Sequence, residues 1–368
     1  MKTYKYDIVG SFLRPEYLKE AREKYSKKEI GADELKTIED KAIKELVQQE
    51  KALGLKAITD GEFRRRYWHL DFLASLIGIK EIKAEKWSVD FKDRQPKAAT
   101  IKIIDKIDFD ENSEFLNHFD YLKSIAGNDV DVKMTIPSPA MLHLICCVRA
   151  TDYQAIDLYK DESKLYEDIT LAYQKIIKTF YNHGCRYLQL DDTSWGEFCD
   201  ESKRNAYMER GLDINKIGEN YVKMINRVLE AKPEDMVISI HICRGNFRST
   251  WFSSGGYEPI GKILFSNCNV DAFFLEYDSD RSGDFEPLRY IKDQEVVLGL
   301  ISSKFPQLEE KEAIKERIKE ASQYIPLNQL SLSPQCGFSS TEEGNELTIE
   351  DQWKKLRLIK EIAEEVWN

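Results

Sequence analysis

The stretch VISIHICRGN, residues 237–246, places His241 and Cys243 two positions apart at the end of an apolar run. Val, Ile and Ser alternate through Ile242, a pattern that suits a β-strand. In a strand, residues i and i+2 project to one face, about 6.6 Å apart at roughly 3.3 Å per residue. An imidazole and a thiol so placed can reach one ion, or can simply be two polar residues at a strand end. Two further residues join them as candidates: Glu276 in FFLEYD and Cys336 in SPQCG, each closing an apolar run. Singly, each has an ordinary reading, as a helix cap or a packed thiol. Together, one imidazole, two thiolates and one carboxylate suit Zn²⁺, with ligand distances of about 2.0–2.3 Å.

That ligand set narrows the chemistry. Structural zinc sites draw on local Cys-x2–4-Cys knuckles, whereas these residues come from three separate strand ends, which suits a site a substrate must reach. Two thiolates and a carboxylate around Zn²⁺ leave a net charge of roughly −1, a poor Lewis acid for hydrolysis. Such a centre can instead hold an incoming thiol in its ionised form. A free thiol, with a pKa of about 8.5, is only a few per cent thiolate at pH 7. The chemistry implied is alkyl transfer to a thiol.

The elements that must position these residues recur along the whole chain. Short apolar or β-branched runs lie at 6–12, 56–63, 131–139, 186–192, 236–243, 271–278, 295–302 and 330–338. Amphipathic, charged segments with helical spacing separate them, and EDQWKKLRLIKEIAEEVWN closes the chain as a helix. Eight such alternations predict an α/β fold, a (β/α)8 TIM barrel, with a doubly wound sheet as the alternative. Residues 65–130 are too long for one crossover and read as an insertion between strands 2 and 3 near the barrel mouth. The chain, 1–368, is expected to be a single catalytic domain. In this fold function gathers at the C-terminal ends of the strands. Those ends carry Gly10 and Ser11, Asp60 and Glu62, Ser138, Asp191 and Asp192, His241 and Cys243, Glu276, Ser302 and Ser303, and Cys336.

Composition bounds the partners. The 368 residues are 42% hydrophobic with a net charge of −11, and Lys and Arg are scattered, which argues against nucleic acid or an anionic membrane. No apolar run approaches the roughly 18 residues needed to cross a bilayer, and the N-terminus carries no secretory pattern. Seven cysteines without framework spacing read as free thiols in a reducing, cytoplasmic protein. Adjacent Cys146 and Cys147 read as packed core thiols.

At this point the residues resemble the catalytic barrel of cobalamin-independent methionine synthase. The matching pieces are VGSF at 9–12, DGE at 60–62, LQLDD at 188–192, HIC at 241–243, Glu276, and SPQCG at 333–337. The resemblance implies that His241, Cys243, Glu276 and Cys336 hold zinc. It implies that Ser11 and the backbone around Gly10 hold the homocysteine carboxylate, and that Glu62 and Asp191 bind its ammonium group. The product would be methionine and the favoured donor a methyltetrahydrofolate.

The donor side departs from the family pattern. The aromatic partner for the pterin, shortly after the third strand, is not evident in TIPSPAMLHLICCVRA, and Ser302 stands where the family has a histidine proposed as proton donor. GEFRRRYWHLDF instead supplies Arg64, Arg65, Trp68 and His69, an aromatic flanked by cations that could hold a flat polyanionic donor. With Ser302 too weakly acidic, water, Asp192 or His69 would have to supply the proton. The alternatives are alkyl transfer to another thiol, methylcobalamin as donor, or a non-catalytic zinc-binding barrel.

Overall fold

The computed structural model describes residues 4–83 and 99–367. Its main sheet is parallel and seven-stranded. In spatial order it comprises β1 (Ala57–Ile58), β4 (Asp131–Pro137), β5 (Tyr187–Asp192), β6 (Val237–Ile242), β7 (Ala272–Glu276), β8 (Glu295–Ile301) and β9 (Leu330–Pro334). Two other strands, β2 (Ile77–Lys83) and β3 (Ala99–Asp108), form a separate antiparallel pair.

Helices alternate with the strands. α1 (Glu16–Ser26) and α2 (Ala32–Leu53) precede β1, and α3 (Leu70–Ala74) and α4 (Glu114–Ala126) flank the antiparallel pair. α5 (Pro139–His143) runs into a π-helical turn at Leu144–Arg149, and α6 (Glu162–Asn182) leads to β5. α7 (Ser194–Cys199), α8 (Glu201–Glu209) and α9 (Ile214–Leu229) precede β6, and α10 (Glu258–Leu264) precedes β7. α11 (Lys311–Ala321) leads to β9, and α12 (Ile349–Trp367) closes the described chain. Among the described residues, no helix is long and apolar enough to cross a membrane.

The central strands are buried on both faces, as expected where helices cover a parallel sheet. Leu188, Leu190, Ile238, Ile240, Leu275 and Leu298 belong to the main core with the helices. The alternate positions carry different chemistry. Asp191 pairs in register with His241, His241 with Phe274, Phe274 with Val297, and Val297 with Ser331, so these residues lie in one row across the sheet. Phe274 and Val297 join Val9 in a small apolar cluster apart from the main core. The curl of the sheet gathers this mixed row, and the residues just beyond it, toward one place.

Two expected strands differ from the sequence reading. Segment 6–12 makes only an isolated parallel bridge, Tyr6 to Leu332, with Asp7 N donating to Leu332 O at 3.1 Å and Leu332 N to Lys5 O at 3.0 Å. At its far end Phe12 N reaches Gly61 O at 3.1 Å. The strand expected at 56–63 shortens to two residues, because the chain turns at Asp60, whose carboxylate accepts Glu62 N at 2.8 Å, and both Gly61 and Glu62 adopt positive φ. Within 65–130, α4 packs on α2, with Tyr121 OH donating to Asp40 O and Lys51 Nζ to Ala126 O, both at 2.7 Å. Residues 84–98 of that segment lie outside the described residues.

Candidate metal and substrate site

His241 is the penultimate residue of β6, Cys243 follows that strand, Glu276 ends β7, and Cys336 lies two residues past β9. Their four ligand atoms lie within 4.8 Å of one another and all four residues are buried. The two thiols are 3.5 Å apart. Two sulfurs each about 2.3 Å from one tetrahedral ion would stand about 3.8 Å apart, so the pair is already near that spacing.

The histidine points the same way. Its Nδ1 lies 3.3 Å from Phe274 O, which can only accept, so Nδ1 carries the proton. Nε2 is then a bare lone pair, buried and without a hydrogen-bond partner. An orphaned buried acceptor is costly unless something fills it, and a cation among two thiols and a carboxylate would.

Glu276 is oriented before any ion arrives: Oε1 accepts Arg244 N at 2.9 Å and Oε2 accepts Arg281 Nη2 at 3.0 Å. Burial works against its charge, but Arg281, Lys304 and Arg244 outweigh it and hold the carboxyl below its usual range. Between the thiols, the hydrogen bond with Cys243 holds Cys336 well below the ordinary thiol range. Cys243, sharing its proton with Cys336 and desolvated, is pushed well up.

His241, Cys243 and Cys336 open onto a small pocket also lined by Val9, Ser11, Glu62, Trp68, Asp191, Gly337 and Ser340. Ser11 is fixed against the loop that carries Cys336: its Oγ accepts Ser339 N at 3.3 Å and its carbonyl accepts Phe338 N at 2.9 Å. A Cβ on Gly337 would collide with Ser11 Oγ, and one on Gly10 would meet Thr135 Cγ2 at 2.6 Å. Both positions demand glycine for close packing.

Glu62 has φ 60°, a left-handed conformation that costs a non-glycine residue about 1 kcal/mol or more. It is held there by Thr135 Oγ1 at 2.7 Å and Arg65 Nη1 at 3.3 Å, while Arg14 binds its carbonyl at 2.7 Å. Burial raises the Glu62 carboxyl despite Arg65. Asp191 accepts from Gln189 Nε2 at 2.7 Å. Burial pushes its carboxyl up to about 7, with Glu62 and Cys336 adding to the shift and His241 opposing it. Two buried carboxyls thus face one pocket, an arrangement able to receive a small cation.

The three residues expected on the donor side separate. Trp68 lines the pocket, and the His69 ring stacks on it at 4.5 Å. Burial and Arg149 pull the His69 imidazole down to about 3, so it carries no dissociable cationic proton near neutrality. Arg64 turns away, paired with Glu39 at 3.1 Å and with Asp40, in a different groove that also includes Arg22 and His118. Asp192 is committed to local bonds, accepting Ser194 N at 2.6 Å and the Ser138 hydroxyl. Ser302 Oγ accepts Lys304 N at 3.3 Å.

Sequence reading missed the supporting contacts. Gln189 lies two residues before Asp191 on β5, a same-face spacing that could have been noticed. Thr135, on β4, is 73 residues from Glu62, and Arg281 lies five residues beyond Glu276.

The whole chain also has relatives. Residues 5–365 match the catalytic domain of cobalamin-independent synthase. The uncharacterized protein YxjH of Bacillus subtilis is 46% identical over 99% of this chain and 95% of its own length. The methionine synthase of Pyrococcus horikoshii is 23% identical over 90% of this chain and 85% of its own. A Listeria monocytogenes crystal structure, assigned as a vitamin-B12 independent methionine synthase, superposes with a TM-score of 0.79 at 42% identity, covering 99% of this chain and 98% of that one. The chain belongs to the family of cobalamin-independent synthase catalytic domains, whose methionine synthases are homocysteine S-methyltransferases.

Proposed function

We propose that this protein methylates the sulfur of homocysteine to give methionine, using Zn²⁺ held by His241, Cys243, Glu276 and Cys336. The observation that carries the reading is the grouping of those four buried residues within 4.8 Å of one another, beside a pocket that His241, Cys243 and Cys336 line together with Ser11, Glu62 and Asp191. Zinc, when bound, supplies a way to keep a substrate thiol ionised at neutral pH. Glu62 and Asp191 take the amino acid's ammonium through charge-assisted hydrogen bonds. Ser11, with the backbone at Gly10, takes the carboxylate. Trp68 walls the pocket and limits water around the reacting sulfur. In the transfer, the sulfur–methyl bond forms as the donor's bond to that methyl breaks, and the thiol proton leaves to solvent.

The favoured donor is a methyltetrahydrofolate, with Trp68 and His69 against its flat ring and Arg64 serving its anionic tail only if its present ion pairs open. A second reading, methylcobalamin as donor, is favoured by one observation. His69 is uncharged, Asp192 is tied up, and Ser302 is too weak an acid, so a folate nitrogen would leave without an evident proton source. In architecture, the reading completes a (β/α)8 barrel with segment 6–12 as the remaining stave, 65–130 as an insertion near its mouth, and 1–368 as one domain. Free thiols throughout suit a reducing cytoplasm.

The test is direct. Zinc-loaded protein is incubated with homocysteine and, separately, methyltetrahydrofolate, its polyglutamate and methylcobalamin, and methionine is measured. Formation with a folate supports the first reading and formation with methylcobalamin alone the second. No methionine from any donor would sink both.

A further inference from the structure

The turn after β8 buries an ammonium that the proposed reaction does not use. Lys304 is fully buried, and its Nζ donates to Gly245 O at 3.0 Å and Asn246 Oδ1 at 3.1 Å. Both acceptors are neutral, and among the described residues no carboxylate pairs with it within 4.0 Å. A buried cation with only neutral partners is expensive unless negative charge lies nearby. The carboxyls of Glu276 and Asp278 and the Cys243 thiol all lie near enough to feel this charge.

The neutral partners are placed with equal economy. Gly245 and Asn246 lie two and three residues after Cys243, and Gly245 N donates to the Cys243 sulfur at 3.2 Å. Asn246 Nδ2 crosses to Gly337 O at 2.6 Å and to Ser340 Oγ at 3.2 Å, in the loop that carries Cys336. Asn345 Nδ2 braces the same amide oxygen at 2.9 Å and the Ser303 carbonyl at 2.9 Å. Three segments, after β6, β8 and β9, therefore meet on one lysine and one asparagine. Two of those segments carry the thiols.

We infer that Lys304, acting through Asn246, is a positioning residue for the metal site: it clamps the Cys243 loop to the Cys336 loop. The inference rests on the reading of His241, Cys243, Glu276 and Cys336 as metal ligands. It explains why a lysine is tolerated inside the protein with no carboxylate bonded to it.

The experiment uses the full chain as wild type, Lys304→Met and Asn246→Ala. Zinc affinity is measured by competition with a chromophoric chelator. The ligand geometry is read from the thiolate-to-metal charge-transfer and visible bands after Co²⁺ substitution, and folding from the thermal melt of the metal-free protein. Both variants should bind zinc at least about tenfold more weakly, the loss of roughly one well-placed polar contact. Their cobalt spectra should differ from wild type while the metal-free melt remains cooperative. If Lys304→Met does not fold, Asn246→Ala decides by the same two readouts. Wild-type affinity with an unchanged cobalt spectrum would overturn the clamp and leave the metal reading standing. Failure of the wild type itself to take up zinc or cobalt would overturn the metal reading, and the clamp with it.

Discussion

Glu62 combines a left-handed backbone, complete burial and a guanidinium neighbour, a costly arrangement at a position that merely capped a turn. Its geometry makes sense if the carboxylate must face a substrate cation, with Asp191 opposite. Losing one charge-assisted contact typically costs about 1.5–3 kcal/mol, or roughly ten- to hundredfold in affinity. Glu62→Gln and Asp191→Asn should each weaken homocysteine by that factor while leaving zinc content at wild-type level. Calorimetric titration with homocysteine checks this, and unchanged affinity in both variants would remove the two residues from the amino-acid site. Gly337→Ala is a complementary case. The added methyl collides with Ser11 Oγ, so substrate binding should fall while His241, Cys243 and Glu276 keep their places. Zinc content and homocysteine affinity, measured on the same sample, separate the two effects.

At the scale of elements, β6 was legible because Val237–Ile242 alternates cleanly and its polar pair sits at the C-terminal end, where parallel sheets place function. Glu276 and Cys336 were legible for the same reason. The limits of the first two expected strands, 6–12 and 56–63, were not. The turn at Asp60–Glu62 cuts β1 short through a local side-chain bond, and the joining of Tyr6 to Leu332 spans nearly the whole chain. Such long-range pairing is set by the curl of the sheet and leaves no periodicity to read. Arg64 differs for another reason: Glu62 and Trp68 on either side of it line the pocket, but Glu39 and Asp40 of α2 capture its guanidinium.

The link between α2 and β1 yields a pH prediction. Glu50 of α2 is fully buried, one carboxyl oxygen accepts Thr59 N at 3.1 Å, and the other has no partner. Burial raises this carboxyl well above its ordinary range. A raised acid favours the folded state fully below its unfolded pKa of about 4.3, and that advantage is lost as pH climbs through the folded value. Glu50→Gln keeps the bond to Thr59 and cannot ionise. Its stability relative to wild type should therefore grow with pH above about 4.3, by at most about 1.4 kcal/mol per unit. Thermal melts of both proteins between pH 4.5 and 8 check this, and parallel curves would exclude it.

Across the whole molecule, the proposed metal ligands come from the ends of β6 and β7 and from the loop after β9, while β9 also holds segment 6–12 through Leu332. An ion bound there would tie the ends of β6, β7 and β9 together at the C-terminal rim of the sheet, adding to a structure that already has an extensive core. Zinc should therefore stabilise the native state without being required for folding, unlike a small zinc finger, where the metal replaces the core. By mass action the gain is RT ln(1 + [L]/Kd), about 4.1 kcal/mol at a free zinc concentration a thousand times Kd. The melting temperature should rise on zinc addition and fall back with chelator, and the metal-free protein should still melt cooperatively. Cys243→Ser and Cys336→Ser should melt close to the metal-free wild type and lose most of the zinc response, because each removes one sulfur from the rim and leaves the core intact. A zinc-dependent shift that persists at full size in both variants would place the stabilising ion elsewhere on the protein. No shift in the wild type, at zinc concentrations that fill the site by direct metal analysis, would mean that the unfolded chain binds zinc as tightly as the native state does, and would overturn the prediction.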